Sequence, residues 1–279
     1  MKKGINIWSF KVDTPVIDCI GIAKDAGFDG IELGFNETGE VSLESSEKEL
    51  LEIKRAASDI GIEIPSLATG LFWQYPFTSG DKKTRDKAIL IAKKQLETAK
   101  ILGADTILIV PGAVGVDFAP DLPVIDYEKA YELSLEAFCE IKYLAEELKV
   151  SIGIENVWNK FLLSPLEMRD FIDKIGSNYV GSYLDVGNVI YTGYPEQWIR
   201  ILGKRIKKLH FKDFRRDVGN LSGFVDLLSG DVNFPEVMKA LDEIGYTGYA
   251  TAEMIPNYTY YTNQIVYNTS NSMDRIFGK

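Results

Sequence analysis

The residues of this chain best placed to do chemistry are three acids and one imidazole, each at the end of a short apolar run. His210 is the sole histidine and stands in RIKKLHFKD, residues 205–213. Ile206, Lys208, His210 and Lys212 fall on one side of that alternation, with Leu209 and Phe211 on the other. This is the period of a half-buried strand. Three further runs close the same way, SIGIE on Glu155, YLD on Asp185 and YATAE on Glu253. In each, the acid lies opposite the apolar neighbours: Ile152 and Ile154, then Leu184, then Ala250 and Ala252. A single acid or histidine is ordinarily solvated, salt-bridged or hydrogen-bonded in a core. Four in phase on successive runs point instead to a metal centre. Three carboxylates crowded together would force at least one to stay protonated, and a divalent cation removes that cost. An oxygen-rich set with one imidazole suits one Mn²⁺ per chain, and Co²⁺, Mg²⁺ or Zn²⁺ also fit. A cysteine-built zinc site is excluded, because Cys19 and Cys139 fall in different helices.

The elements that must position these residues alternate along the whole chain. Strands are expected over 4–10, 30–33, 62–68, 106–110, 150–155, 179–185, 205–212 and 249–254. Helices are expected over 15–26, 43–60, 81–102, 127–148, 165–175, 195–202, 235–244 and 263–276. Thr14 is a candidate N-cap with Pro15 at the first helical position, and Ser164 is a cap for the helix that Gly176 follows. The run TILIV at 106–110 is apolar on both faces, as a covered parallel strand must be. Eight strand–helix units with no break in composition predict a single closed (β/α)8 TIM barrel over residues 1–279. A doubly wound sheet would need a glycine-rich turn after the first strand, and IWSFKVDTP has none. In a closed barrel, Glu155, Asp185, His210 and Glu253 all reach the C-terminal end, where such folds do their chemistry.

Composition narrows the partners. Lys and Arg number 31 against 41 for Asp and Glu, a formal charge of −10, which argues against sequence-independent nucleic-acid binding. No apolar run is long enough to span a membrane, and MKKGINIWSF is not patterned as a signal peptide. Two cysteines in separate helices fit a reduced, cytoplasmic protein.

Six segments carry a family resemblance: GFDGIEL at 27–33, IEN at 154–156, LDVGN at 184–188, LHFKD at 209–213, GDVNF at 230–234 and GYTGYATAE at 245–253. Over nearly its whole length the chain resembles the sugar phosphate isomerase/epimerase superfamily of xylose isomerase-like barrels. Within it, the chain is most similar to ketose 3-epimerases of the D-tagatose 3-epimerase and L-ribulose- or L-xylulose-5-phosphate 3-epimerase kind. The resemblance implies that Glu155, Asp185, His210 and Glu253 are the metal ligands. It also implies that Glu155 and Glu253 exchange a proton with the two faces of C3 of a ketose or ketose phosphate, through an enediolate. The same site would serve an aldose–ketose or hydroxypyruvate-type isomerase, or an inosose-type dehydratase, and a catalytically inactive sugar-binding barrel is the reading of another class. Two departures stand out. Free-sugar epimerases carry a second histidine shortly after the strand-six aspartate, contacting the sugar; here Asn188 stands nearby and no histidine is available, and the usual glycine-glutamate-glycine loop reads SGDVNF.

Six residues are expected around the substrate. Glu32 would touch it or, more simply, support the neighbouring strand ends. Lys212 would polarise a substrate oxygen or pair with an acid. Trp8 and Trp158 would line the apolar face of a sugar, although aromatics ordinarily mean packing. Asn188 stands near the position of the missing histidine. Arg215, with Arg216 and Lys160, would serve a phosphate if the substrate bears one, and the phosphorylated form is slightly favoured. The partner is therefore a small sugar or sugar phosphate, and the reading leaves room for a homo-oligomer.

Overall fold

The computed structural model describes all 279 residues, Met1–Lys279. Eight parallel strands close into a barrel: β1 (Lys2–Asn6), β2 (Gly30–Gly34), β3 (Ser66–Ala68), β4 (Thr106–Ile109), β5 (Ser151–Glu155), β6 (Val180–Asp185), β7 (Ile206–Phe211) and, last in the chain, β10 (Tyr249–Ala252). Each pairs with its sequence neighbour, and β10 closes the ring against β1. The short strands β8 (Asp213–Phe214) and β9 (Phe224–Val225) form an antiparallel hairpin outside the ring. The barrel is therefore the (β/α)8 fold expected, with the hairpin ordering part of a segment whose composition reads only as loop.

Ten helices surround it: α1 (Val16–Asp25), α2 (Glu47–Ile60), α3 (Leu71–Gln74), α4 (Lys82–Leu102), α5 (Tyr127–Leu148), α6 (Pro165–Ile175), α7 (Val186–Ile190), α8 (Pro195–Leu202), α9 (Phe234–Glu243) and α10 (Gln264–Phe277). Local chemistry sets their ends. Ser46 and Glu49 form a capping box, so α2 starts four residues later than its pattern suggests. Ser164 caps α6, with Pro165 at its first position and Gly176 left-handed after it. The cap expected from Thr14 is absent: its hydroxyl donates to the Lys11 carbonyl, and the Glu40 carboxylate accepts from the Val16 N–H instead. Strand β1 ends at Asn6 and not near Phe10, because the Asn6 side chain accepts from the Trp8 N–H and turns the chain into a short 3-10 segment. No helix is long and apolar enough to cross a membrane.

The core is the shell between strands and helices, where 66 buried apolar residues form one cluster; inside the barrel only Ala68, Leu108 and Tyr183 do so. The barrel interior is thus polar by comparison. Its N-terminal end is closed by Lys208, whose ammonium pairs with Asp105 at 2.8 Å and lies over the Tyr249 ring. Its C-terminal end is where the acids emerge.

Candidate metal centre

Glu155 ends β5, Asp185 ends β6, His210 lies one residue from the end of β7, and Glu253 follows β10. Register aligns them: Asp185 pairs with His210 across β6 and β7, and Thr251 pairs with His210 across β7 and β10. Alternation sends all four side chains inward, and their ligand atoms lie within 4.8 Å of one another. All four residues are buried. His210 Nδ1 stands 3.3 Å from Glu155 Oε1, 3.4 Å from Glu253 Oε2 and 4.0 Å from Asp185 Oδ2.

The other ring nitrogen explains why Nδ1 faces the acids. His210 Nε2 lies 2.6 Å from Glu32 Oε1. A carboxylate can only accept, so Nε2 carries the proton and leaves the Nδ1 lone pair for a cation. Glu32 is fully buried and all its contacts are to protein groups. Asn6 Nδ2 donates to Oε1 at 2.6 Å, and Ser66 Oγ and Tyr183 Oη donate to Oε2 at 2.6 and 2.5 Å. This is the supporting geometry, and it leaves Glu32 no face toward the barrel mouth. Asn6, Ser66 and Tyr183 escaped the sequence reading. Tyr183 was within its reach, since it lies two residues before Asp185 on the same face.

Lys212 is the cation of the site. Its ammonium pairs with Glu253 Oε2 and stands 3.2 Å from Asp185 Oδ2. Beyond this ion pairing, neither oxygen has a hydrogen bond of ordinary geometry, so both keep lone pairs that a cation could use. Three carboxylates against one ammonium leave two negative charges, the amount a divalent cation neutralises. Donor types, convergence and charge all fit such an ion. Glu155, Asp185, His210 and Glu253 would hold it, and it would supply Lewis-acid polarisation of substrate oxygens.

The two glutamates sit in different fields. Burial, with the charge of Glu253, pushes Glu155 up to about 7 against the pull of His210 and Lys212. Burial acts on Glu253 too, but Lys212 and His210 outweigh it and hold that carboxyl at about 2. Burial also raises Asp185, more than Lys212 and His210 lower it. Burial opposes a charged imidazole, yet Glu32 and Glu253 hold His210 well above the ordinary histidine range.

Hydrogen bonds lock the strand ends together. Asn156 Nδ2 donates to the Asp185 carbonyl and its Oδ1 accepts from the Asp185 N–H, both at 2.9 Å. Asp185 Oδ1 accepts from the Asn188 N–H, capping α7. Asn188 Nδ2 donates to the Asn156 carbonyl, and its own carbonyl accepts from the Trp158 indole at 3.0 Å. Two glycines tie separate motifs to one another. A Cβ on Gly187 would lie 2.4 Å from Lys212 Cβ, so LDVGN is shaped by the stem of LHFKD. A Cβ on Gly230 would lie 2.2 Å from Asp213 Oδ1, which accepts from the Phe214 and Val232 N–H groups while Oδ2 accepts from Gly230. Gly187→Ala is accordingly expected to destabilise the protein by about 1–3 kcal/mol through overpacking beside the metal ligands. A urea denaturation midpoint unchanged from the parent would contradict that close approach.

The remaining candidates divide. Trp158 and Asn188 line the barrel mouth with Lys212. Trp8 packs on Ala68, Leu108 and Tyr183, on the early-strand side. Arg215 is not brought to the mouth: it is exposed and its Nε donates to the Ser229 carbonyl at 3.0 Å. Arg216 Nε likewise donates to the Ile190 carbonyl.

A family model described as xylose isomerase-like TIM barrel matches residues 20–267. The putative L-ribulose-5-phosphate 3-epimerase SgbU of Escherichia coli (strain K12) is 28% identical over 243 residues, 84% of this chain and 81% of that protein. Among solved structures, D-psicose 3-epimerase in the presence of D-fructose superposes with a TM-score of 0.83 at 21% identity, covering 100% of both chains. The IOLI protein with a bound zinc atom gives a TM-score of 0.80 at 20% identity, covering 99% of this chain and 98% of that one.

Proposed function

The chain belongs to the xylose isomerase-like TIM barrel family, and from that premise we propose that it is a metal-dependent epimerase inverting C3 of a ketose or ketose phosphate. The observation that carries the reading is the convergence of Glu155 and Glu253 in one buried cluster, Glu155 from β5 and Glu253 from the end of β10, on either side of Asp185 and His210. Two carboxyls so placed offer a proton acceptor and a proton donor to the two faces of one carbon, as acid/base chemistry there needs. A divalent metal supplies Lewis-acid polarisation of the carbonyl and the neighbouring hydroxyl, and the similar IOLI protein holds a zinc atom. One glutamate takes the C3 proton, the other returns a proton to the opposite face, and the roles exchange with direction. Lys212 keeps Glu253 ionised and stands where a substrate oxygen would meet an ammonium. Burial of the three acids and the histidine keeps bulk water from the enediolate. The curated relative SgbU carries a 3-epimerase name, which supports this carbon as the reacting one.

The test is a panel of free and phosphorylated ketoses, incubated with Mn²⁺ in D₂O and followed by NMR. Deuterium is expected at C3 with formation of the C3 epimer. Label at C1 with an aldose product would make the protein an aldose–ketose isomerase, and loss of water would make it a dehydratase.

A further inference from the structure

Beside the barrel mouth lies a second chamber of about 500 Å³, continuous with the mouth cavity of about 410 Å³. The two share Phe118, Val157, Trp158, Asn188 and Leu221. Trp158 is the partition. Its indole is fixed by the Asn188 carbonyl, and its ring packs against Tyr191, Phe214 and Phe224 at 5.4, 5.1 and 5.3 Å. Ten of the seventeen residues around the chamber are hydrophobic. Its lip includes Phe118, Leu163, Tyr191 and Leu221, which are 46%, 60%, 51% and 47% exposed, an unusual concentration of bare apolar surface next to a buried charged site. None of Glu155, Asp185, His210 and Glu253 lines this chamber, so a sugar held at those four residues leaves it free for a further group.

Charge decides what would fill it. The chamber holds one lysine and one aspartate, Lys160 and Asp117, and these pair with each other at 2.7 Å. Arg215 and Arg216 are bound to backbone carbonyls and do not line it. The chamber offers a phosphate a single cation, Lys160, already paired with Asp117 in an exposed salt bridge, and no second one to hold the dianion. Size, apolar lining and a few polar groups are those of a small-molecule pocket.

We propose that the substrate is an uncharged ketose bearing a bulky apolar or aromatic substituent, with the sugar at the metal centre and the substituent in the chamber behind Trp158. This rests on the epimerase reading and narrows it, placing the phosphorylated sugars second. The probes are D-fructose, D-fructose 6-phosphate, 1-O-benzyl-D-fructose and 6-O-benzyl-D-fructose, the two ethers presenting the ring from either end. Binding is read from quenching of tryptophan fluorescence on the Mn²⁺-loaded protein, and turnover separately from D₂O exchange. One ether is expected to bind at least about tenfold more tightly than D-fructose, the gain from burying a phenyl ring, with no gain for the 6-phosphate. Thr192→Trp fills the chamber from an exposed position and Leu163→Asp charges its lip; each is expected to remove most of the ether's advantage and leave D-fructose binding unchanged. Two variants with different chemistry guard against one misfolding. The proposal is overturned if neither ether gains, if the gain survives both substitutions, if the 6-phosphate binds best, or if sedimentation shows a second copy covering the lip in the parent protein. Ether binding through the chamber without proton exchange on any ketose would overturn the epimerase reading alone. Exchange on ketoses without an ether advantage would overturn the chamber alone.

Discussion

Glu155→Gln and Glu253→Gln are each expected to lower the epimerisation rate by about a thousandfold or more, the scale of losing a positioned acid or base together with a charged ligand. The two variants also carry a signature that loss of a shared metal ligand would not give. If each glutamate serves one face of C3, removing one leaves the other able to take the proton from its own epimer. Exchange with D₂O then persists for one epimer in Glu155→Gln and for the other in Glu253→Gln, without inversion in either. Near-parental epimerisation in either variant would end the two-base mechanism. Equal loss of exchange for both epimers would assign the glutamates to the metal alone. Circular dichroism serves as the control for folding. The substitutions are close to isosteric, but they differ in charge effect. Glu253→Gln strips Lys212 of its nearest carboxylate and leaves it Asp185, 3.2 Å away. Glu155 makes no such pair with Lys212, so Glu155→Gln disturbs the resting site less.

The acids were legible in the sequence because two simple rules combine on them. Period-two alternation says which residues face inward, and the barrel says that the C-terminal strand ends converge. His210, Asp185, Glu155 and Glu253 obey both, and the structure brings their donor atoms within 4.8 Å. Helices α5, α6 and α8 match the pattern residue for residue: Asp126 caps α5, and α6 and α8 each open on a proline and are followed by a glycine. The failures are equally physical. Thr14 has the right type for a cap, but Glu40 from 24 residues away competes for the same N–H and wins. The network around Glu32 joins β1, β2, β3, β6 and β7, so most of its members become neighbours only when the ring closes. The hairpin of β8 and β9 depends on Asp213 collecting amides from residues 214, 230 and 232, a long-range contact that no local pattern announces. Arg215 was offered for a phosphate on charge alone, and the fold of this same loop turns it to a carbonyl instead. The chamber behind Trp158 was illegible because its walls come from four separate segments of the chain, α7 and part of α8 among them.

His210→Ala is expected to weaken binding of a divalent metal by more than about a hundredfold, beyond the 10–100-fold typical of residues that only orient a ligand. The chelated protein should take up about one Mn²⁺ or Zn²⁺ per chain, measured by elemental analysis and calorimetric titration. Glu32→Gln supplies the graded comparison. The amide can no longer enforce the proton on Nε2 as a carboxylate does, so the Nδ1 lone pair is less well presented and affinity should fall by about 10–100-fold. Glu32 is buried with four partners, and the substitution also costs stability, about 1–3 kcal/mol for the bonds left unsatisfied. Removing the imidazole leaves Glu32 without its histidine, and a poorly folded variant could imitate lost affinity. Asp185→Asn separates the two effects. An asparagine still caps α7 through the Asn188 N–H, so the fold is kept while a charged ligand is lost. Its metal affinity should fall with the folded state intact, and the thermal shift that metal gives the parent should shrink in proportion, since that shift depends on the ratio of free metal to Kd. A His210→Ala or Asp185→Asn protein that binds metal as tightly as the parent would move the centre away from these four residues.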